Sequence, residues 1–299
     1  MPDQMRFAVL GPGGVGGLLA ALLARSGDEV VVLAGESTAS AIANGGIRVE
    51  SRRFGDFTAP VRVATELSVP VDAVFVTVKA TQLGDAVQRV PPAALGDGLL
   101  IPLLNGLDHV AFLRRSYQKD AVVAATIRIE TARIAPGLIR HTSPFAAIDV
   151  GARAAAVADR LRATGLDVRV RDDETAMLWD KYAILAPLAL LTTHAAANAG
   201  VVRTRRRDDL EALVREFASV AQGEGVAIDP AKILGFVDAV PEAMETSMQR
   251  DQAAGRQLEL DALGGALLRR AAAAGVEVPV TRRLVEEIAA RSPAPSTSS

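Results

Sequence analysis

Short apolar runs alternate with helix-forming segments through the first half of the chain. Residues 6–10, 30–33, 73–78 and 99–104 are nearly unbroken stretches of aliphatic and aromatic side chains, the pattern of strands covered on both faces. Helical composition falls between them, at 18–25 and 81–89. Strands alternating with helices predict parallel βαβ units. Residues 48–63 break the pattern with shorter strand-like pieces around Phe54-Gly55-Asp56, which predicts an inserted hairpin. Residues 121–150 read as further strands turning at Ala135-Pro136-Gly137, followed by a short helix at 154–163 and a last strand at 167–171.

The pattern changes at Asp172-Asp173-Glu174, where an aspartate is placed to cap a helix. From there the period is helical: 175–191, 208–224, a short helix after Asp229-Pro230, another from Ser247, then 258–274 and 280–290. The chain thus divides into an α/β domain over 1–173, an all-α domain over 174–290 and a disordered tail over 291–299. No repeat of 20–50 residues is present.

Composition narrows the function. The 299 residues carry 33 basic and 35 acidic side chains, a net charge of −2, with 49% hydrophobic residues and no cysteine. That excludes a disordered chain, a disulfide scaffold, a thiolate metal site and a cysteine nucleophile, and it leaves no basic footprint for nucleic acid. Without a signal-peptide pattern or a membrane-length apolar run, the chain reads as soluble and cytoplasmic. Of the 33 basic residues only Lys79, Lys119, Lys181 and Lys232 are lysines. Arginine cannot give up a proton near neutral pH and lysine can, so each lysine merits attention.

Gly11-Pro12-Gly13-Gly14-Val15-Gly16 fits G-x-G-x-x-G between a strand and a helix. Gly11 permits the tight turn, Gly13 the close approach of a pyrophosphate, and Gly16 the packing of helix on strand. Gly14 and Val15 lie at the helix N-terminus, whose free N–H groups attract phosphate. At the end of the second strand, Leu33-Ala34-Gly35-Glu36-Ser37 contains no arginine for a 2′-phosphate. Glu36 reads equally as a ribose ligand or a solvated carboxylate. Lys181 shares a helix face with Met177, Leu178, Ile184, Leu185 and Leu188. It either snorkels to water or points into a cleft, where desolvation would suit it to proton donation. Lys79 and Asn105 each follow a strand at its carboxyl end, where ligands bind in open α/β sheets. Asn105-Gly106 also has the composition of an ordinary turn.

Together these residues resemble the ketopantoate reductase (2-dehydropantoate 2-reductase) family over nearly the whole chain. The matching pieces are the glycine loop, Val78-Lys79-Ala80, Leu104-Asn105-Gly106 and Trp179-Asp180-Lys181. To these are added Ser247-Met248-Gln249-Arg250-Asp251 and Arg256-Gln257-Leu258-Glu259-Leu260-Asp261. The resemblance implies an N-terminal Rossmann-type dinucleotide-binding domain and an all-α C-terminal domain. It implies NADPH or NADH as hydride donor, no metal, and a small 2-oxo acid as partner. Lys181 would be the general acid, with Glu259 its polar partner. Asn105 and Ser247 would hold the substrate carboxylate or nearby oxygens, and Lys79 would lie beside the nicotinamide. Ser247 and Glu259 are 12 residues apart, about 18 Å along a straight helix. A break near Ala254-Gly255-Arg256 is therefore expected.

The family's NADP-binding arginine falls at Gly35. Two family asparagines that contact the substrate's distal hydroxyl fall at Leu185 and Ala189, on Lys181's face. These departures leave two substrates open: ketopantoate, or a more apolar branched or aromatic 2-oxo acid reduced with NADH. Other readings are an imine- or opine-forming dehydrogenase and a dinucleotide-binding sensor without catalysis. The helices of the second domain can also pair two copies into a homodimer.

Overall fold

The computed structural model describes residues 4–291. Of the expected tail, residues 292–299 lie outside the described residues, and Arg291 ends the last helix. The described residues form two compact units: residues 4–104 with 109–177, and residues 105–108 with 178–291.

Among the described residues the first unit has twelve strands: β1 Arg6–Leu10, β2 Glu29–Leu33, β3 Ile47–Ser51, β4 Phe57–Ala59, β5 Arg62–Ala64, β6 Ala73–Val76, β7 Leu99–Pro102, β8 Ala125–Arg128, β9 Thr131–Ala135, β10 Leu138–His141, β11 Ala147–Gly151 and β12 Asp167–Arg171. Five form a parallel sheet in the order β5-β2-β1-β6-β7. The strand order reverses beside β1, and ligands bind α/β sheets at such a point. A second sheet, β4-β3-β10-β9, and a third, β12-β11-β8, complete the unit. The helix Gly14–Arg25 buries eight consecutive residues, Gly16 to Leu23, in the core it shares with β1 and β10. It is apolar all round because it is covered on all sides.

Three local differences from the sequence reading have physical causes. The hairpin is β3–β4, paired antiparallel, but Val63 belongs to β5, an edge strand parallel to β2. Three residues with an exposed arginine give no apolar run to detect. Residues 81–89 are not one helix: two 3₁₀ turns, Ala80–Gln82 and Val87–Arg89, flank a single turn, Leu83–Ala86. Gly84 weakens the middle and Pro91 follows closely. A helix at Glu36–Ala43 was not expected, since Ile42 alone is buried and makes no stripe.

The second unit is helical. Its elements are Glu174–Ala195 (from Leu178 onward), Ala199–Arg205, Arg207–Gly223, Pro230–Ala239, Ser247–Ala253, a π-turn Asp261–Gly265 running into Ala266–Ala274, and Pro279–Arg291. The long first helix is capped by Asp173, whose carboxylate accepts the Ala176 N–H at 2.9 Å. Buried Glu216 accepts the N–H groups of Val280 and Thr281 and so anchors the N-terminus of the last helix. The chain is thus a Rossmann-type α/β unit and an all-α unit. Among the described residues no single helix is long and apolar enough to cross a membrane.

Asp149 on β11 is 1% exposed and bonds Arg128 on β8 and Arg169 on β12. Burial pushes its carboxyl up, but the two guanidiniums outweigh that and hold it below its ordinary 3.8. The native pKa is depressed, so the stabilisation is present above the unfolded value and disappears as pH falls through the native one. Asp149→Asn should cost about 1–3 kcal/mol at pH 7, the scale of charged hydrogen bonds. Urea unfolding of both proteins should show the gap closing as pH drops below the ordinary carboxylate value.

Candidate functional site

The glycine loop is shaped by what surrounds each glycine. Gly11 has φ +89°, and a Cβ there would meet Val78 Cγ1 at 2.5 Å. A Cβ on Gly16 would collide with the Gly11 carbonyl and the Thr77 hydroxyl. Gly14 and Gly17 press on the second sheet, their added Cβ atoms meeting Thr131 Oγ1 and Ile139 Cδ1, each at 2.6 Å. Gly13 is different: nothing lies within 4 Å of its Cβ position. It is the N-cap of Gly14–Arg25 and has no side chain to satisfy the first-turn N–H groups of Gly14, Val15 and Gly16. Four of the loop's glycines are therefore packed against neighbours and Gly13 is open, as the approach of a pyrophosphate requires, and these residues fit a dinucleotide.

Lys79 follows Thr77 and Val78 beyond the carboxyl end of β6 and caps the turn Ala80–Gln82. Glu36 is exposed and begins the helix Glu36–Ala43 beyond β2. Beside it stands Arg89, a residue that sequence reasoning missed, whose Nη1 donates to the carbonyls of Ala34 and Thr65 at 3.3 and 2.8 Å.

In the second unit, Lys181, Asn105 and Glu259 form one hydrogen-bonded chain. Lys181 Nζ donates to Asn105 Oδ1 at 2.9 Å, and Asn105 Nδ2 donates to Glu259 Oε2 at 3.3 Å. The amide orientation follows from charge, with its oxygen toward the ammonium and its nitrogen toward the carboxylate. Glu259 is 7% exposed, and Leu178, Ile184 and Leu185 around Lys181 are each half-buried. Lys181 thus presents a held ammonium on a partly open apolar surface, and Asn105 is more than a turn residue.

Several residues to which the sequence assigns no role in the site fix this chain. Gly106 has φ +89°, and a Cβ there would meet the Ala262 carbonyl at 2.5 Å. The close approach seats Asn105 beside the element that follows Glu259. Asp108, at the other end of the same four-residue segment, is gripped by Arg270 and Arg269. Burial raises its carboxyl, yet the two guanidiniums together hold it below the usual range. Trp179 is 1% exposed and donates to Glu224 Oε2 at 2.9 Å. Two residues on, Lys181 points away from that anchor. Tyr182 donates to the Leu263 carbonyl inside the π-turn, and burial pushes its phenol far up, so it stays a donor. The signal for Trp179 and Tyr182 was their size; nothing local marked Asp108.

Ser247 is exposed at the start of its helix, and Thr246 rather than Ser247 caps that helix. The Thr246 hydroxyl also meets Thr192 at 2.9 Å, three turns beyond Lys181 on the same helix. No hydrogen bond joins Ser247 to Lys181, Asn105 or Glu259. The helix from Ser247 ends at Ala253, and Gly255 takes φ +63°, the expected break. Leu185 is half-buried on Lys181's face, whereas Ala189 is 1% exposed. Among the described residues no cluster of His, Asp and Glu could hold a metal ion.

The two kinds of glycine should separate in experiment. Gly13→Val should abolish NADPH and NADH binding in a calorimetric titration while leaving thermal stability near wild type. Gly16→Ala should instead destabilise the fold by about 1–3 kcal/mol, the cost of overpacking.

The sequence profiles "Ketopantoate reductase PanE/ApbA" and "Ketopantoate reductase PanE/ApbA C terminal" match residues 7–155 and 173–292. A 2-dehydropantoate 2-reductase of Caulobacter vibrioides is 32% identical, over 93% of this chain and 96% of its own. The crystal structure of a PanE/ApbA family ketopantoate reductase from Ralstonia eutropha JMP134 has a TM-score of 0.87 and 28% identity. It covers 96% of this chain and 98% of its own. A D-mandelate dehydrogenase in ternary complex with NADH and anilino(oxo)acetate shares the fold, with a TM-score of 0.89 at 21% identity and the same coverage. The chain belongs to the ketopantoate reductase family, and thereby to the NAD(P)-dependent oxidoreductases that act on CH–OH groups.

Proposed function

We propose that this chain reduces 2-dehydropantoate, a 2-oxo acid, to the 2-hydroxy acid pantoate with NADPH or NADH. The carrying observation is the hydrogen-bonded chain from Lys181 through Asn105 to Glu259. Reducing a ketone requires a hydride at carbon and a proton at oxygen. The reduced nicotinamide, when bound, supplies the hydride. Lys181 Nζ gives its proton to the carbonyl oxygen and regains one from water after the hydroxy acid forms. Asn105 Oδ1 accepts from the ammonium and so fixes where Nζ sits. Glu259, accepting from the Asn105 amide, locks the amide in that orientation and keeps a negative charge near the ammonium. Ser247 and Lys79 are the groups this reading gives to the substrate carboxylate and to the nicotinamide side. Near full-length similarity to 2-dehydropantoate 2-reductases supports the substrate.

One observation favours a second substrate. Leu185 stands half-buried one turn from Lys181 and offers no hydrogen bond. A hydroxyl facing it would lose its partners at about 1–3 kcal/mol, which an apolar branched or aromatic 2-oxo acid would avoid. Steady-state kcat/KM for 2-dehydropantoate against 2-oxo-3-methylbutanoate and phenylglyoxylate decides between them. Leu185→Asn should move the ratio toward 2-dehydropantoate by about 1–3 kcal/mol. The equivalent change at fully packed Ala189 would test overpacking instead.

Lys181→Ala should lower kcat by about 10²–10⁴ with dinucleotide binding intact. Lys181→Arg should not restore it, since a guanidinium does not release its proton near neutral pH. Turnover within a few-fold of wild type would remove Lys181 from this role.

A further inference from the structure

The segment after β2 contains no cation, and on sequence alone the chain should lose most of the family's preference for a 2′-phosphate. The fold supplies one from elsewhere. Arg89 closes the turn Val87–Arg89, 54 residues beyond Gly35, yet its guanidinium lies at the carboxyl end of β2. Nη1 is held by two carbonyls, Ala34 on the chain leaving β2 and Thr65 on the chain leaving β5. Nη2 lies 3.9 Å from where a Cβ of Gly35 would sit. Among the described residues Nη2 and Nε make no hydrogen bond, and no carboxylate comes within ion-pair distance of the guanidinium.

This is an arginine with one corner anchored and the remaining donors free. An arginine so placed is pre-organised for an anion, because little side-chain freedom is lost when the anion arrives. In a sheet of this topology the adenosine ribose is read at the end of the second strand, by an acid for a 2′-hydroxyl or by a nearby arginine for a 2′-phosphate. Gly35 contributes by having no side chain, so nothing on β2's own exit covers Nη2. The first-turn N–H groups of the helix Glu36–Ala43 open beside the same spot, and their partial positive charge adds to that of the guanidinium. Glu36 opposes it, but its carboxylate is exposed and does not pair with Arg89.

We propose that Arg89 binds the ribose 2′-phosphate of NADPH and makes this enzyme select NADPH over NADH. The assignment rests on the dinucleotide reading of the glycine loop and goes beyond it by naming the residue that chooses between the two nicotinamide cofactors. The test is equilibrium binding of NADPH and NADH, followed by nucleotide fluorescence, to the wild type, Arg89→Gln and Arg89→Lys. The wild type should bind NADPH more tightly. Arg89→Gln should weaken NADPH about 10- to 100-fold, the scale of a hydrogen bond to a charged group, and leave NADH unchanged. Arg89→Lys should fall between. Since Arg89 also ties two loops, a competition on the wild type alone guards against a misfolded variant: 2′,5′-ADP should displace bound NADPH at far lower concentration than 5′-AMP. A wild type that binds NADH as well as NADPH, or an Arg89→Gln variant that weakens both equally, overturns the assignment to Arg89 and leaves the dinucleotide site standing. A wild type that binds neither nucleotide overturns both.

Discussion

The amide of Asn105 lies between an ammonium and a carboxylate, and much of the second unit is arranged to keep it there. Opposite charges on its two ends fix its orientation without help from shape. The cost is that three chain segments must meet, because Asn105 is 76 residues from Lys181 and 154 from Glu259. Each segment is held by groups that take no part in the chain itself. Asp108 ties the Asn105 segment to Arg269 and Arg270, Trp179 anchors the Lys181 helix to Glu224, and Gly255 breaks the backbone ahead of Glu259. A long amphipathic cation would otherwise sample many rotamers, and a proton donor is useful only where its proton is aimed.

The first unit solves a different problem with glycines. Its first helix is covered on several sides, by β1, by the second sheet and by the loop itself. Four of the five glycines among residues 11–17 are places where a methyl group would strike a neighbour. Only Gly13 faces open space. The same residue type thus serves packing at four positions and access at one, and a motif pattern does not tell the two uses apart.

The two sites also differ in how charge is used. Around Asp108 and Asp149, pairs of arginines overcome the burial of a carboxylate and hold it ionised. These are structural clamps, closed on themselves. Arg89 is anchored by neutral carbonyls instead, so its charge is not cancelled. An arginine held by carbonyls keeps its attraction for an anion, whereas one held by carboxylates has largely spent it.

What the sequence determined by itself is what local periodicity and residue chemistry can carry. The covered strands, the glycine loop between strand and helix, the cap at Asp173, the turn at Pro136-Gly137 and the break at Gly255 all depend on residues within a few positions of one another. Lys181 stood out because lysine is rare here and lies in an apolar stripe. The tertiary structure alone decided that β5 joins the parallel sheet, that Asn105 bridges Lys181 and Glu259, and that Arg89 reaches the end of β2. Those facts join residues dozens to more than a hundred positions apart. Their partners are backbone carbonyls and single polar side chains, which leave no period in the chain and acquire neighbours only when the sheets and helices have packed.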